Sequence, residues 1–310
     1  MNATRKTTRT VILLALAVCA VAIVSRVLYY DSCSAKDLLF LWPVVDEATY
    51  ISDAAAIADS PFEGDTYRLP FWQPPGYTFI LSILLNFGLD LRGIVIFQQA
   101  SGVLSALLIY FLGLRLFGRN AATWAAIGAT LFAICPAVLF HETRFLKPAW
   151  NILLLLTMLH LQLSAVRKRH IVAMALVTGI LCLLEAYFLV LAVALTVWLL
   201  NKRPSHGLVY ATVTVIVLMP VSLANSHAAR SFMPISANGG VNLYLGNNSN
   251  WIKSYNTLPG WEWKYMILKD DSGYESYGDK SRERDTRFGR AALNYATRHP
   301  ISFASALVQK

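Results

Sequence analysis

Residues 11–29 have the sequence VILLALAVCAVAIVSRVLY, and this apolar run decides the fold. It is long enough for one helix to cross the hydrocarbon core of a bilayer, which takes about 20 residues. The basic residues Arg5, Lys6 and Arg9 precede it. Many apolar runs follow, and no clear small-residue cleavage site precedes Asp46, so we interpret the run as an uncleaved first membrane helix rather than a signal peptide. Because basic flanks stay in the cytoplasm, this helix is expected to carry the chain outward.

The composition is typical of a membrane protein. Of the 310 residues, 56% are hydrophobic and 15% are charged, and the mean hydropathy is +0.48, which departs from an ordinary soluble domain. The net charge of +9 does not indicate nucleic-acid binding, because the basic residues are spread between apolar runs. The four cysteines show no CxxC or paired spacing, so neither a structural zinc site nor a disulfide framework is predicted.

Further spans are predicted at 91–114, 121–140, 149–165, 171–184, 187–200 and 208–224. The apolar run 77–87 is too short to cross and is predicted to be a re-entrant or interfacial helix. With that choice, the short basic loops 115–119, 167–170 and 202–206 all fall on the cytoplasmic side, as the positive-inside rule demands. The sequence therefore predicts an all-α polytopic membrane protein.

An acid pair, Asp46-Glu47, follows the first predicted helix. The segment 31–90 around it is rich in acidic residues and is predicted to be external, with a small-residue helix at 48–58 lying on the membrane. Ionisable groups close to a membrane are rare and usually functional, and a carboxylate there can take a proton from an acceptor hydroxyl. Alternatively, both acids cap and solvate an interfacial helix, since Asp and Glu favour first turns. The residues alone leave both interpretations open.

Other polar candidates lie at predicted turns and helix ends. Gln73 belongs to the turn 71–77, which two prolines make rigid. Arg144 and Lys147 follow the span 121–140, where they either bind an anion or snorkel to the membrane surface. Asn247 and Asn248 are typical of a turn.

From residue 225 onward the chain is predicted to be polar and irregular, with turns at Gly239-Gly240 and 246–248. Helices are predicted at 284–296 and from Pro300 onward, and no later segment is apolar enough to span. We divide the chain into a transmembrane domain, 1–224, and an extracytoplasmic loop region, 225–310, and we interpret the chain as a truncated product.

Six short motifs in this order resemble the bacterial membrane glycosyltransferases of the GT-C fold, akin to protein O-mannosyltransferases and the lipid A aminoarabinose transferases. They are Asp46-Glu47, QPPGY at 73–77, RLFGR at 115–119, FLKP at 145–148, NLYLGNN at 242–248, and Arg298-His299-Pro300. The resemblance covers nearly the whole chain, although family members continue with further membrane helices. It implies a GT-C helical bundle in the bacterial cytoplasmic membrane, with the active site outside the cytoplasm.

The resemblance also implies inverting transfer of a hexose or pentose from a polyprenyl-phosphate donor to a hydroxyl acceptor. Asp46 matches the family's base position, and Glu47 matches its neighbour, which orients the acceptor. The residues implied in binding the donor phosphate or the substrate are Arg68, Gln73, Tyr77, Glu142, Arg144, Lys147 and Asn247. The chain departs from the family at Gln73, where some relatives have lysine, and at Glu185, where many have arginine.

The implied partners are the lipid bilayer, the lipid-linked sugar and a hydroxyl acceptor, with no nucleic acid. No cofactor is predicted beyond the donor substrate. A divalent metal is not indicated either, since His141-Glu142 lacks the spaced partners of a metal site.

Two other function classes stay open: a transporter or lipid flippase subunit, and an inactive accessory protein, which truncation favours. Transporters place charged groups near the middle of the bilayer and often contain internal repeats. Here the acids cluster at one face, no repeat relates the two halves, and the middles of the predicted spans are nearly free of charge. These features favour chemistry at the membrane surface.

Overall fold

The computed structural model describes residues 2–61, 67–164, 167–256 and 281–309, and within these ranges every regular element is a helix. The first ten helices are α1 (Asn2–Lys36), α2 (Asp46–Asp59), α3 (Gly76–Asn86), α4 (Leu91–Phe117), α5 (Ala122–Ala133), α6 (Pro136–Thr143), α7 (Pro148–Leu163), α8 (Lys168–Leu184), α9 (Phe188–Lys202) and α10 (Pro204–Ala228). They are followed by α11 (Gly239–Gly246), α12 (Trp251–Asn256), α13 (Ser281–Arg298) and α14 (Pro300–Gln309). The predicted all-α class is confirmed for this part of the chain.

Three of the described helices are long and apolar enough to cross a membrane: α1 over Thr8–Lys36, α4 and α10. The bent pair α5–α6 makes a fourth if it is one span. Helices α7, α8 and α9 form where spans were predicted, but they have only 16, 17 and 15 residues, and a crossing takes about 20. The described part of the chain is thus all-helical with three to four candidate spans, and the compartment and sidedness stay predictions.

The prediction of one unbroken span at 121–140 is wrong. Helix α5 ends at Ala133, α6 begins at Pro136, and the two are bent by 50°. Proline lacks an N–H, and its ring clashes with the preceding turn of a helix. It also forces the residue before it out of the helical region, and Cys135 accordingly has φ −65° and ψ 120°. The bend delivers Glu142 and Arg144 to buried positions, at 1% and 8% exposure.

Helices α2 and α3 pack on each other beside the bundle. Tyr50 of α2 and Tyr77 of α3 meet edge to face, with ring centres 5.1 Å apart, inside one buried cluster. Gly76 lets α3 approach α8, because a Cβ there would lie 2.7 Å from the backbone carbonyl of Leu183. The predicted helices 48–58 and 77–87 are confirmed, and the second is, as expected, too short to span at 11 residues.

Two polar contacts show which parts of the chain lie near each end of α1. Near its start, Arg119 Nη1 lies 3.5 Å from Thr8 Oγ1. Just beyond its end at Lys36, Arg144 Nη1 donates to the carbonyl oxygen of Leu39 at 3.0 Å. The basic loop 115–119 and the acid-pair region therefore lie at opposite ends of this helix, an arrangement that the predicted topology requires.

The region after residue 225 is more helical than predicted. Gly239-Gly240 was predicted as a turn but forms the first turn of α11. Gly240 instead lets α11 lie close to α13, because a Cβ there would overlap the backbone carbonyl of Asp285 in α13. The predicted helices at 284–296 and from Pro300 are confirmed in α13 and α14. Residues 257–280 lie outside the described ranges.

Candidate functional site at the first turn of α2

Asp46 opens α2, and its side chain is exposed to solvent. The residue before it, Val45, has φ 52° and ψ −117°, which is an outlier for a β-branched residue. Backbone strain of this kind costs about 1–3 kcal/mol and tends to persist at functional sites, where the surroundings impose it. The strain immediately before the candidate base is a signal that the sequence pattern did not supply.

Gln73 orients the Asp46 carboxylate. Its Nε2 donates to Asp46 Oδ1 at 3.0 Å, and its Oε1 accepts from the Tyr50 hydroxyl. Burial raises the pKa of Tyr50 far above its usual range, and the charges of Asp46 and Glu185 raise it further. The Tyr50 hydroxyl therefore keeps its proton and acts as the donor, which fixes the amide with its NH₂ group toward Asp46.

Glu47 is not free to touch a ligand, because Arg144 takes both of its oxygens. Arg144 Nε donates to Oε1 and Nη2 to Oε2, each at 2.7 Å. This is the bidentate, charge-assisted geometry that makes such pairs strong. Arg144 Nη1 also lies 3.7 Å from Asp37 Oδ2. The Glu47–Arg144 pair fixes the start of α2 against the segment between α6 and α7. It therefore also restrains Asp46, the residue before Glu47.

Lys147 lies at the start of α7 and is also paired. Its Nζ is 2.9 Å from Glu185 Oε1 and 5.6 Å from the centre of the Tyr50 ring, within the range of a cation–π contact. Glu185 lies in the turn between α8 and α9. Lys147 is therefore a cation beside the Tyr50 ring, held by one carboxylate.

Tyr77 is completely buried and serves the internal structure. Its hydroxyl donates to Gln98 Oε1 at 2.7 Å. Gln98 Nε2 then donates to the carbonyl oxygens of Glu142 at 3.2 Å and Arg144 at 2.9 Å. Gln98, which the sequence analysis did not single out, thus supports the backbone that presents Arg144.

A buried ion pair joins α1 to α6. Arg26 Nη2 lies 2.7 Å from Glu142 Oε1, and their side chains are 3% and 1% exposed. Arg26 Nε and Glu142 Oε2 are buried with no hydrogen-bond partner in the described structure. Gly102 makes room for the pair, since a Cβ there would overlap the Glu142 carboxylate.

Arg26 is a buried charge inside a candidate span, toward the end of the predicted run 11–29 and away from its middle. It lies within the first candidate span, Thr8–Lys36. The signal was present in the sequence, because an ionisable residue inside a membrane helix is by default a functional candidate. Glu142, predicted as a substrate-binding residue, is the partner of this arginine.

Arg68 and Asn247 lie apart from Asp46. Arg68 is exposed, and its Nη1 lies 3.5 Å from Asp53 Oδ1, about two turns after Asp46 along α2. Asn247 follows α11, and its Nδ2 donates to the carbonyl oxygen of Leu243 at 2.7 Å. No described hydrogen bond joins Asn247 to Asp46, Gln73 or Lys147.

The predicted site residues thus fall into two groups. Asp46, Gln73 and Lys147 meet around Tyr50, whereas Glu47, Tyr77, Glu142 and Arg144 form the buried support behind them. Among the described residues, no three His, Cys, Asp or Glu side chains gather as a metal site would require. The group around Tyr50 can accept a proton at one carboxylate and attract an anion at one ammonium group.

No protein-family model, curated protein or solved structure matches this chain. Its function is therefore proposed from the geometry of the site together with the resemblance of its sequence motifs.

Proposed function

We propose that the chain is an inverting glycosyltransferase of the GT-C type, which moves a sugar from a polyprenyl-phosphate donor to a hydroxyl acceptor at the outer face of the bacterial cytoplasmic membrane. The observation that carries the proposal is the exposed Asp46 carboxylate, oriented by Gln73 after a strained residue. A surface acid that only caps a helix needs neither feature.

Asp46 has the position of a general base. Gln73 holds Oδ1, and no described hydrogen bond reaches Oδ2. In the proposed reaction, Asp46 takes the proton of the acceptor hydroxyl while the hydroxyl oxygen attacks the anomeric carbon of the donor sugar. The bond from that carbon to the phosphate oxygen breaks, and its electron pair leaves on the lipid phosphate. Attack from the face opposite the phosphate inverts the anomeric configuration.

Lys147 is the best cation for the departing phosphate. Arg144 is committed to Glu47, so we assign it the part of a positioning residue. Lys147 has a single carboxylate partner, at a partly exposed turn. A phosphate that approaches Tyr50 competes with Glu185 for the ammonium group. The donor phosphodiester carries one negative charge and gains a second as the sugar leaves, so Lys147 stabilises the departing phosphate more than the bound donor.

Transfer from a defined donor tests the proposal. Purified protein in lipid vesicles is given radiolabelled polyprenyl-phosphate hexose or pentose together with a membrane extract as the acceptor source. Asp46→Asn should lower turnover by about 10²–10⁴-fold, as expected for loss of a general base, while donor binding stays near normal. Asp59→Asn, an exposed acid at the other end of α2, is the matched control and should transfer normally. Full turnover in Asp46→Asn would refute the assignment of the base.

The buried Arg26–Glu142 pair supports a second candidate, a transporter. Intramembrane ion pairs often mark the path of an ion or substrate. Uptake of a labelled lipid-linked sugar into vesicles, lost in Glu142→Gln but retained in Asp46→Asn, would favour this candidate over the transferase.

A further inference from the structure

A recess lies beside the Asp46 site, between α2 and the segment 67–75. We call it the aromatic cleft and define it by Asp53, Tyr67, Arg68, Phe71, Trp72 and Gln73. Three of these residues are aromatic, and the other three carry hydrogen-bonding groups. The cleft shares Gln73 with the site, and this residue contacts Asp46. A molecule bound in the cleft therefore lies next to the candidate base.

Two polar side chains of the cleft, Arg68 and Asp53, are open to a ligand. Arg68 Nη1 and Asp53 Oδ1 are 3.5 Å apart, and the side chains are 59% and 28% exposed. A pair this long and exposed leaves N–H donors and carboxylate lone pairs available. Burial raises the pKa of Asp53, and the positive charge of Arg68 opposes that rise.

Tyr67, Phe71 and Trp72 form the aromatic wall of the cleft, and its backbone is fixed at Phe71. The Phe71 N–H donates to Asn225 Oδ1 at 2.8 Å, and the Phe71 carbonyl accepts from the Ala237 N–H at 2.8 Å. Asn225 is itself completely buried and donates to the carbonyl oxygen of Ile235 at 2.7 Å. Helix α10 thus fixes the backbone of the wall before any ligand arrives, which reduces the ordering cost of binding.

The chemistry of the cleft favours a neutral polyol with an apolar face. Aromatic faces pack against the C–H face of a sugar ring, while a guanidinium and a carboxylate can bond neighbouring hydroxyls. An anionic ligand fits less well, because Asp53 offsets the charge of Arg68. These features disfavour Arg68 as a ligand of the donor phosphate.

We propose that the aromatic cleft binds the acceptor, and that the acceptor is a neutral carbohydrate whose reactive hydroxyl points toward Asp46. This inference rests on the proposed transferase function. It reassigns Arg68 from the donor to the acceptor, and it gives Gln73 two tasks, orienting Asp46 and closing the near end of the cleft.

Saturation-transfer NMR on the full chain in detergent tests the inference without requiring turnover. The probes are maltose, cellobiose and lactose, with a serine- and threonine-containing peptide as the competing class. At least one disaccharide should receive magnetisation from the wild-type protein. Tyr67→Ala and Arg68→Gln should each weaken that binding by about tenfold, the loss expected for one stacking or bidentate contact.

Matched variants outside the cleft provide the controls. Arg92→Gln and Tyr187→Ala change exposed residues of the same types and should bind the probe like the wild type. Arg68→Lys, which keeps the charge but loses the planar fork, should weaken binding even if Tyr67→Ala fails to fold. Binding of the peptide alone, or equal disaccharide binding by wild type and cleft variants, would overturn the inference.

The outcomes separate this inference from the proposed function. Asp46→Asn should still bind the disaccharide, because the base touches only the reactive hydroxyl. Disaccharide binding without any transfer would refute the transferase but keep the cleft as a carbohydrate site. Asp46-dependent transfer with no effect of Tyr67→Ala or Arg68→Gln would refute the cleft alone.

Discussion

At the scale of single residues, the site depends on how two neighbours constrain Asp46. Val45 turns the chain into α2 through a conformation that suits glycine, and Gln73 fixes one carboxylate oxygen. The other oxygen stays accessible. The base is therefore placed by local backbone geometry and one amide, and the second member of the acid pair acts only through Arg144.

Replacement of the strained residue tests whether the site stores free energy. Val45→Gly should raise the free energy of unfolding by about 1–3 kcal/mol, because glycine adopts positive φ without penalty. Thermal unfolding in detergent measures the effect. Val44→Gly, one residue earlier and without positive φ, should destabilise the protein. Equal destabilisation by both changes would mean that Val45 is not strained.

The pairing of Lys147 with Glu185 predicts opposite effects on donor affinity. Lys147→Ala should weaken binding of polyprenyl-phosphate sugar by at least about tenfold, the loss of one charged contact, while Lys147→Arg keeps most of it. Glu185→Gln should tighten binding, since it removes the competing carboxylate. Equilibrium binding of fluorescent donor to vesicles checks all three. If Lys147→Ala binds the donor normally, Lys147 only anchors α7.

At the scale of elements, two ion pairs fasten helices that are distant in the chain. Glu47–Arg144 joins α2 to the end of α6, and Arg26–Glu142 joins α6 to α1. Gln98 of α4 links the two ion pairs, because it donates hydrogen bonds to the backbone carbonyls of Glu142 and Arg144. A shift of α6 would therefore displace the first turn of α2 through the Glu47–Arg144 pair.

The Arg26–Glu142 pair predicts a strongly non-additive pair of substitutions. Arg26→Leu alone should lower the free energy of unfolding by about 3–5 kcal/mol, because it leaves a buried carboxylate unpaired. Arg26→Leu combined with Glu142→Leu should recover most of that loss, since apolar groups need no partner. Denaturation followed by far-UV circular dichroism measures both. A harmless single variant would show that the pair is not buried as described.

The sequence predicted the helices better than their breaks. Apolar runs and basic loops located α1 to α10, because hydrophobicity is a local property. Pro136 was visible too, yet the run around it stayed apolar, so the break in 121–140 was overlooked. Gly239 and Gly240 led to the opposite error, because close packing against Asp285 could not be seen from local preferences.

The candidate site was predictable only in part. The acid pair and Lys147 were found from their position after helices and from resemblance. That Glu47 and Arg144 bind each other could not be found, since 97 residues separate them. The same holds for Tyr50 and for the aromatic cleft, which depend on how α2, α10 and the segment 67–75 meet in space.

At the scale of the whole molecule, the predicted topology remains open to direct measurement. Position 168, in a basic loop, should be cytoplasmic, whereas positions 147 and 247 should face outside, by the positive-inside rule. Single cysteines at these positions, in a background where the four native cysteines are replaced, can be labelled with an impermeant maleimide. Positions 147 and 247 should react in intact cells, and position 168 only after lysis.

Labelling of position 168 from outside would contradict the predicted topology, because it would place this loop outside the cytoplasm. It would also remove the reason for treating α3 as a helix that does not cross, since its exclusion sets the sidedness of every later loop. Agreement at all three positions would place Asp46 and Lys147 on the same face of the membrane as the proposed donor headgroup.

Gly102 imposes an order on the changes that this protein can accumulate. A methyl group at that position would overlap the Glu142 carboxylate, so alanine is admissible only after residue 142 has become smaller. Loss of either Glu142 or Arg26 alone leaves the buried charge of the other unpaired, so the two residues must be replaced together. The three positions are epistatic, and an evolutionary path away from the ion pair has to pass through residues 26 and 142 before it can reach residue 102.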